Sequence, residues 1–334
     1  ISNSLMSIHG EEFVLVMGDT LVGGGLKREI KQWHDFSTPL AFITHPNLHP
    51  IDSDEVGADR FGTVYAFRRK NESPKQLANT FFRPLTGVIF FTRDVESALK
   101  MDADASAAFA IYAERERNAK AINSSAYIKD TGTPERLHRC QGDVISGAYQ
   151  YRSKTRRSAI FLDRDGTLIQ DTGTKRNTIA KSDLAPQIGH AIAQVNRAGV
   201  PIFLVSNQPG VAKGEISLEE MLETQSQLEF TLSLHGAILD DFRLCPHNNA
   251  REYIDGTKRY KADCPCRKPG TASIEELAQI HDIDLSNSWF IGDSNADAEA
   301  AALLALAFQG VSVETLGEEH TAMIIEKTLG EILR

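Results

Sequence analysis

Four short polar clusters punctuate apolar stretches in the second half of the chain, and their residue types suit phosphoryl chemistry. The first is Phe161-Leu-Asp-Arg-Asp-Gly-Thr167, with carboxylates at Asp163 and Asp165. At i and i+2, where a strand ends, both project to the same side. One carboxylate can attack phosphorus to give an acyl phosphate. The other can act first as general acid and then as general base. Two anions cannot approach an anionic phosphate unaided, so the chemistry calls for a hard cation with oxygen ligands, Mg²⁺ being the usual choice. Taken alone, the cluster also reads as an acidic surface turn or part of a calcium loop.

Three further clusters favour the catalytic reading. Ser206-Asn207-Gln208 follows an apolar run and offers a hydroxyl and an amide to phosphoryl oxygens, although a turn would look similar. Cys266-Arg267-Lys268-Pro269-Gly270 sets two cations before a turn. One can neutralise a transferring phosphoryl group and the other can grip a second anion on the substrate; a solvated basic turn is the plainer alternative. Phe290-Ile-Gly-Asp293-Ser-Asn-Ala-Asp297 places two carboxylates four apart. Asp293 can hold the metal and Asp297 can orient its waters, or both can simply start a helix.

A second metal is expected nearby. Cys245-Pro-His247 and Cys264-Pro-Cys266 form a Cys-x-His…Cys-x-Cys set. Three thiolates and an imidazole make a closed tetrahedral zinc site of the structural kind. The polar stretch 248–263 between the pairs lacks a core of its own, so metal would fix it. Arg267 and Lys268 follow the last ligand directly, so zinc would hold those cations in place.

The elements that must position these groups alternate between strand and helix. Strands are expected at Ser158–Asp163, Val200–Ser206, Phe242–Cys245, Ser288–Gly292 and Ala307–Val311, with helices at Gln187–Ala198, Leu218–Leu234, Thr271–Ile280 and Ala296–Leu304. Such alternation implies an α/β domain with a parallel sheet covered on both faces, and chemistry past the carboxyl ends of its strands. The basic stretch 151–157 reads as a linker between a first domain at 1–150 and a second at 158–334.

The ordered set Asp163-x-Asp165-Gly-Thr, Ser206-Asn, Lys268-Pro and Gly292-Asp293-x-x-x-Asp297 resembles the haloacid dehalogenase phosphohydrolase superfamily. The resemblance implies a doubly wound, Rossmann-like parallel sheet, with Asp163 as nucleophile and Asp165 as acid/base. It implies Mg²⁺ on the Asp163 carboxylate, the Asp165 carbonyl and Asp293, with Asp297 behind them. Thr167, Ser206, Asn207, Arg267 and Lys268 would bind the phosphoryl group and substrate. The gap between the first two motifs is too short for a large cap, so specificity would come from loops, the zinc loop among them. The Cys-Arg-Lys-Pro run is similar to that of heptose bisphosphate phosphatases and of related histidinol-phosphate phosphatases. Ser294 and the stretch 171–176 depart from the heptose pattern.

The first half carries Val14-Leu-Val-Met-Gly-Asp19, His45-Pro-Asn-Leu-His-Pro50 with Asp52 and Asp54, and Tyr127-Ile-Lys-Asp-Thr-Gly-Thr-Pro-Glu135. These resemble sugar-1-phosphate nucleotidyltransferases of the heptose pathway, without their glycine-rich opening. A partial α/β nucleotidyltransferase-like domain is expected, with Asp19 as a vestigial metal candidate and no nucleotidyl transfer. The co-occurrence of the two halves favours removal of the C7 phosphate from D-glycero-D-manno-heptose 1,7-bisphosphate. The alternatives are phosphatase action on histidinol phosphate or another small metabolite, and a non-catalytic sugar-nucleotide-binding or assembly module.

Composition narrows the remaining classes. With 334 residues, 41% hydrophobic and 24% charged, the chain has the make-up of a two-domain globular protein. A net charge of −9 argues against a nucleic-acid partner. No apolar run is long enough to span a bilayer and no signal peptide is evident, so no membrane partner and a cytoplasmic location are expected.

Overall fold

The computed structural model describes residues 10–46, 53–59, 61–70, 81–95, 105–171, 183–248, 260 and 262–334. The motif residues at 47–50 and 52, the stretch 172–176 and the zinc-loop interior at 249–259 lie outside the described residues. The chain divides into two compact units, Ile1–Gln141 and Gly142–Arg334.

Unit 1 is a mixed α/β layer. Its strands are β1 (Glu12–Val16), β2 (Thr20–Gly23), β3 (Leu40–Thr44), β4 (Glu55–Ala58), β5 (Val64–Arg68), β6 (Phe81–Thr92), β7 (Ala119–Asn123) and β8 (Tyr127–Asp130). The main sheet runs β5-β4-β6-β3-β7, with β1 also pairing β6, while β2 and β8 form a separate antiparallel pair. Alternation along β3 sends Leu40 and Phe42 to one core and Ala41 and Ile43 to the other. Helix α1 (Lys27–Phe36) covers the second core through Trp33, and α2 (Ala105–Glu116) covers the first through Phe109 and Ala113. Helix α3 (Pro134–Ser146) carries the chain across the division at Gln141.

Unit 2 continues with α4 (Ala148–Arg152), β9 (Ile160–Leu162), α5 (Pro186–Arg197), β10 (Ile202–Asn207), α6 (Gly210–Lys213), α7 (Leu218–Leu234) and β11 (Asp241–Cys245). After it come α8 (Ala272–His281), β12 (Trp289–Gly292), α9 (Asn295–Leu303), β13 (Ala307–Gly310) and α10 (Glu318–Ile332). The sheet is parallel throughout, in the order β11-β10-β9-β12-β13. Its central strands β9, β10 and β12 are apolar on both faces, which is why they read as unbroken runs such as Ile202-Phe-Leu-Val. Ile160, Leu162, Ile202, Leu204 and Ile291 pack under α5, α7 and α10. Phe161, Phe203, Val205 and Phe290 pack under α8 and α9. The chain moves outward from β9 through β10 to β11 and then returns to the other side at β12. The carboxyl ends of β9 and β12 therefore flank a topological switch point, the usual place for a ligand in an open sheet.

Two features differ from the sequence reading. The stretch 151–157, expected as a linker, lies inside unit 2. Arg152 and Arg157 are buried there: Arg152 forks onto Asp240, and Arg157 Nη1 donates to the Arg152 carbonyl. Basic residues at a domain edge need not be solvated when a buried carboxylate awaits them. Helix α10, not anticipated, buries Thr321, Ala322, Ile324, Ile325 and Thr328 and packs on α5. Two threonines on its inner face blur the apolar stripe that periodicity would otherwise reveal.

Asp240 also accepts from the Ile202 amide at 2.8 Å, so it fixes the start of β10. Asp240→Ala should destabilise unit 2 by about 3–5 kcal/mol, because Arg152 is left buried without its counter-charge. Urea unfolding followed by circular dichroism measures the loss, and the double replacement Arg152→Met/Asp240→Leu should recover most of it.

Candidate active site

Strand β9 delivers Asp163 to the switch point, and the Asp163 amide continues the sheet by donating to the Ile291 carbonyl at 3.0 Å. The chain then turns sharply: the amides of Leu168 and Ile169 return to the Arg164 carbonyl. Gly166 sits at φ +79°, against the Asp293 carboxylate from the end of β12. A Cβ at position 166 would overlap that carboxylate.

Lys268 is the centre of the charge arrangement. Its Nζ lies 2.9 Å from Asp163 Oδ1 and 2.6 Å from Asp297 Oδ1, and it donates to the Val205 carbonyl at 2.7 Å. The ammonium thus forms two close ion pairs and one hydrogen bond, to the Val205 carbonyl. Burial would depress this lysine, but Asp163 and Asp297 outweigh burial and its pKa is raised. Asp163 is 8% exposed; burial raises its pKa, against the opposing pull of Lys268. The backbone of Lys268 is pinned as well. Its amide donates to Asn207 Oδ1 at 2.9 Å, and Asn207 Nδ2 donates to its carbonyl at 3.0 Å.

Asp163, Asp293 and Asp297 bring carboxylate oxygens within 4.8 Å of one another. Burial, then the neighbouring Asp163 and Asp297, push Asp293 up to about 6. Three carboxylates thus crowd together with the single positive charge of Lys268 beside them. Hard oxygen donors with surplus negative charge fit a divalent cation such as Mg²⁺. Asp297 is less available than the other two. Its Oδ2 accepts from the Ser294 amide at 3.0 Å and the Ser294 hydroxyl at 2.7 Å, completing a capping box at the start of α9, while Oδ1 faces Lys268. Asp163 and Asp293 are the carboxylates left to face a cation.

Asp165 stands apart from that cluster. Its Oδ2 accepts from Arg164 Nη2 at 3.0 Å and from Gln208 Nε2 at 2.6 Å. Neither Arg164 nor Gln208 stood among the site residues expected from sequence. The clue was an arginine between two acids, whose buried charge must meet one of them. Ser206 Oγ accepts from Gln208 Nε2 at 3.0 Å. Thr167 is fully buried, and its hydroxyl has no hydrogen-bond partner among the described residues.

Strand β11 ends at Cys245, and the four expected zinc ligands converge beside it. The Sγ atoms are 3.5 Å (Cys245–Cys264), 3.3 Å (Cys245–Cys266) and 3.0 Å (Cys264–Cys266) apart. His247 Nδ1 lies 3.6 Å from Cys245 Sγ and 3.3 Å from Cys266 Sγ. A tetrahedron around zinc with thiolates at ~2.3 Å has edges of ~3.8 Å, so this quartet fits with a slight expansion. Arg267, from the same loop, donates from Nη1 to the His247 carbonyl at 3.2 Å. Asp19 lies exposed in unit 1, and among the described residues no group of three candidate metal ligands includes it.

The Hydrolase_like family model, described as HAD-hydrolase-like, matches residues 265–322. A D-glycero-beta-D-manno-heptose-1,7-bisphosphate 7-phosphatase of Rhodopseudomonas palustris is 38% identical over 153 residues, which cover 45% of this chain and 80% of the relative. The chain belongs to the HAD-like hydrolases. A protein of the same name from Photorhabdus laumondii is 31% identical over 173 residues, or 50% of this chain and 89% of that one. Among solved structures, a D,D-heptose 1,7-bisphosphate phosphatase of B. bronchiseptica complexed with magnesium and phosphate is 26% identical. It covers 52% of this chain and 99% of its own, with a TM-score of 0.43. By its family model and these two relatives the protein is a HAD-like phosphatase. Among its described residues no helix is long and apolar enough to cross a membrane.

The contact between Gly166 and Asp293 gives a test of this HAD-like site. Gly166→Ala should lower phosphate release by at least about 100-fold, since a displacement near 1 Å suffices for that. Gly317→Ala, at φ +83° with open space around it, carries similar backbone strain without the overlap and should stay within about twofold. Steady-state rates of the two variants separate overlap from strain.

Proposed function

We propose that the phosphatase hydrolyses a phosphomonoester of a sugar, namely the C7 phosphate of D-glycero-D-manno-heptose 1,7-bisphosphate, through an aspartyl phosphate on Asp163. The observation that carries the chemistry is a buried carboxylate held by an ammonium at a strand end, with a second carboxylate two residues on. The substrate rests on the names of the relatives at 38% and 31% identity.

In this reading Asp163 attacks phosphorus in line with the leaving sugar oxygen. Asp165 protonates that oxygen and then takes a proton from the water that attacks the acyl phosphate. Lys268 places positive charge beside the nucleophile, where the phosphoryl group arrives. Thr167, Ser206 and Asn207 line the same strand ends, and the unpaired Thr167 hydroxyl is suited to meet a phosphoryl oxygen. Arg267, half-buried and tied to the thiol cluster, is placed to hold a second anion on the substrate. Asp163, Asp293 and the Asp165 carbonyl, with Asp297 behind them, would hold Mg²⁺, which would supply charge neutralisation for attack on a phosphate dianion. Zn²⁺ on Cys245, His247, Cys264 and Cys266 is structural and fixes the loop that presents Arg267 and Lys268. The described cysteines form no disulfide, which suits a reducing, cytoplasmic setting.

Unit 1 is read as a partial sugar nucleotidyltransferase-like domain and unit 2, from Gly142 onward, as the phosphatase domain. No pyrophosphate release is expected from a nucleoside triphosphate and a sugar 1-phosphate.

A phosphate-release screen over heptose 1,7-bisphosphate, hexose phosphates and histidinol phosphate, with and without Mg²⁺, tests the reading. The heptose ester should turn over fastest and only with Mg²⁺, and Asp163→Asn should abolish turnover. Faster hydrolysis of histidinol phosphate would overturn the substrate, and undiminished turnover by Asp163→Asn the mechanism.

The zinc assignment makes a separate prediction. The purified protein should hold one zinc per chain by elemental analysis. Cys264→Ser should lose most of it, together with about 10–100-fold in kcat/KM, as Arg267 and Lys268 lose their support. Full activity in zinc-free protein would remove the metal from the account.

A further inference from the structure

The proposed chemistry gives Asp165 two proton transfers, and its placement depends on two side chains with no part in the reading so far. Arg164 is 1% exposed and Gln208 7% exposed. Arg164 Nη2 donates to Gln208 Oε1 at 2.6 Å, and Gln208 Nε2 donates to Asp165 Oδ2 at 2.6 Å. The orientation of the glutamine amide follows from its neighbours. A guanidinium can only donate, so it faces the amide oxygen, and the amide nitrogen is left to donate to Asp165 Oδ2. Arg164 closes the ring by donating to Asp165 from Nη2 at 3.0 Å and from Nε at 3.2 Å. Gln208 is itself anchored twice, through Nε2 to Ser206 Oγ at 3.0 Å and through its amide to the Cys245 carbonyl at 2.7 Å.

Resting on the phosphatase reading above, we infer that Gln208 and Arg164 are positioning residues that fix the Asp165 carboxylate for proton transfer. Their closest bonds converge on Oδ2. Oδ1 receives only a bond from Arg164 Nε, at 3.3 Å. The clamp thus decides which oxygen carries the transferable proton: Oδ2 is occupied by donors and Oδ1 is left for it.

The two half-reactions then balance. An Asp163 oxygen bonds to phosphorus while the bond from phosphorus to the sugar oxygen breaks. That oxygen keeps the electron pair and takes the proton from Asp165 Oδ1. Water next bonds to phosphorus and yields a proton to Asp165 as the bond to Asp163 breaks, releasing phosphate and restoring the Asp163 carboxylate and the Asp165 carboxylic acid.

A positioning role for the acid predicts dependence on the leaving group. Dinitrophenolate departs as a stable anion and needs no proton, whereas a sugar alkoxide does. The test compares kcat/KM, which reports the first half-reaction, for 2,4-dinitrophenyl phosphate and for the sugar phosphate that the wild type hydrolyses fastest. Gln208→Met, close in volume but without the donor, should lose about 30-fold or more on the sugar ester, within the range that acid–base catalysis contributes. On the aryl ester it should stay within about threefold. Arg164→Lys, which keeps the charge but not the fork, should show the same selectivity. If Gln208→Met does not fold by circular dichroism, Gln208→Asn withdraws the amide by one methylene and is read in the same way. Equal losses on both esters, or no loss on either, would overturn the inference while leaving the phosphatase reading intact. A wild type that releases phosphate from neither ester would instead defeat that reading.

Discussion

A buried ammonium among buried carboxylates is the constraint on which the site is built. Lys268 is 3% exposed, Asp163 8% and Asp297 fully buried. None of these charges could leave water alone, since an unpaired buried ion costs several kcal/mol even after relaxation. Together they offset one another as ion pairs, and the ammonium donates a hydrogen bond to the Val205 carbonyl. The arrangement keeps a nucleophilic carboxylate inside the protein edge with its orientation fixed. It also leaves net negative charge toward Asp293, which matches the need for a divalent cation in phosphoryl transfer.

The end of β10 ties this charge centre to the proton-transfer group. Asn207 clamps the backbone of Lys268, and Gln208, the next residue, clamps the carboxylate of Asp165. A single turn therefore sets the positions of both cation and acid. The same turn is joined to the thiol cluster, because the Gln208 amide donates to the Cys245 carbonyl and Cys266 is two residues from Lys268. Rigidity supplied at the cysteines is thus transmitted by short covalent and hydrogen-bonded paths to the reacting groups. Side chains held this way on strand ends are more accurately placed than those on free loops.

Much of this was legible before any coordinates. The doubly wound sheet announced itself because parallel strands buried on both faces must be apolar throughout, as in β9, β10 and β12. Helix α7 was expected over the same Leu218–Leu234 that the structure shows, with its Ser217 capping box at the start. Weaker signals failed where polar residues are buried. The threonines inside α10 masked its stripe, the short β2–β8 pair had too few residues to set a period, and Arg152 looked like linker until Asp240 was seen opposite it.

Residue chemistry and spacing alone determined which atoms could attack, neutralise or ligate: Asp163 and Asp165, Arg267 and Lys268, Asp293, and the Cys-x-His and Cys-x-Cys pairs. Those are local properties, fixed by side-chain type and by the direction in which a strand end points. Only the tertiary structure decided which of them meet. It separated Asp165 from the other carboxylates and gave it to Arg164 and Gln208, engaged Asp297 with Ser294 and Lys268, and left Asp19 in a different unit. The reason is that each pairing joins residues on different strands or turns, and the register of a sheet brings such residues together without leaving a mark in the local sequence.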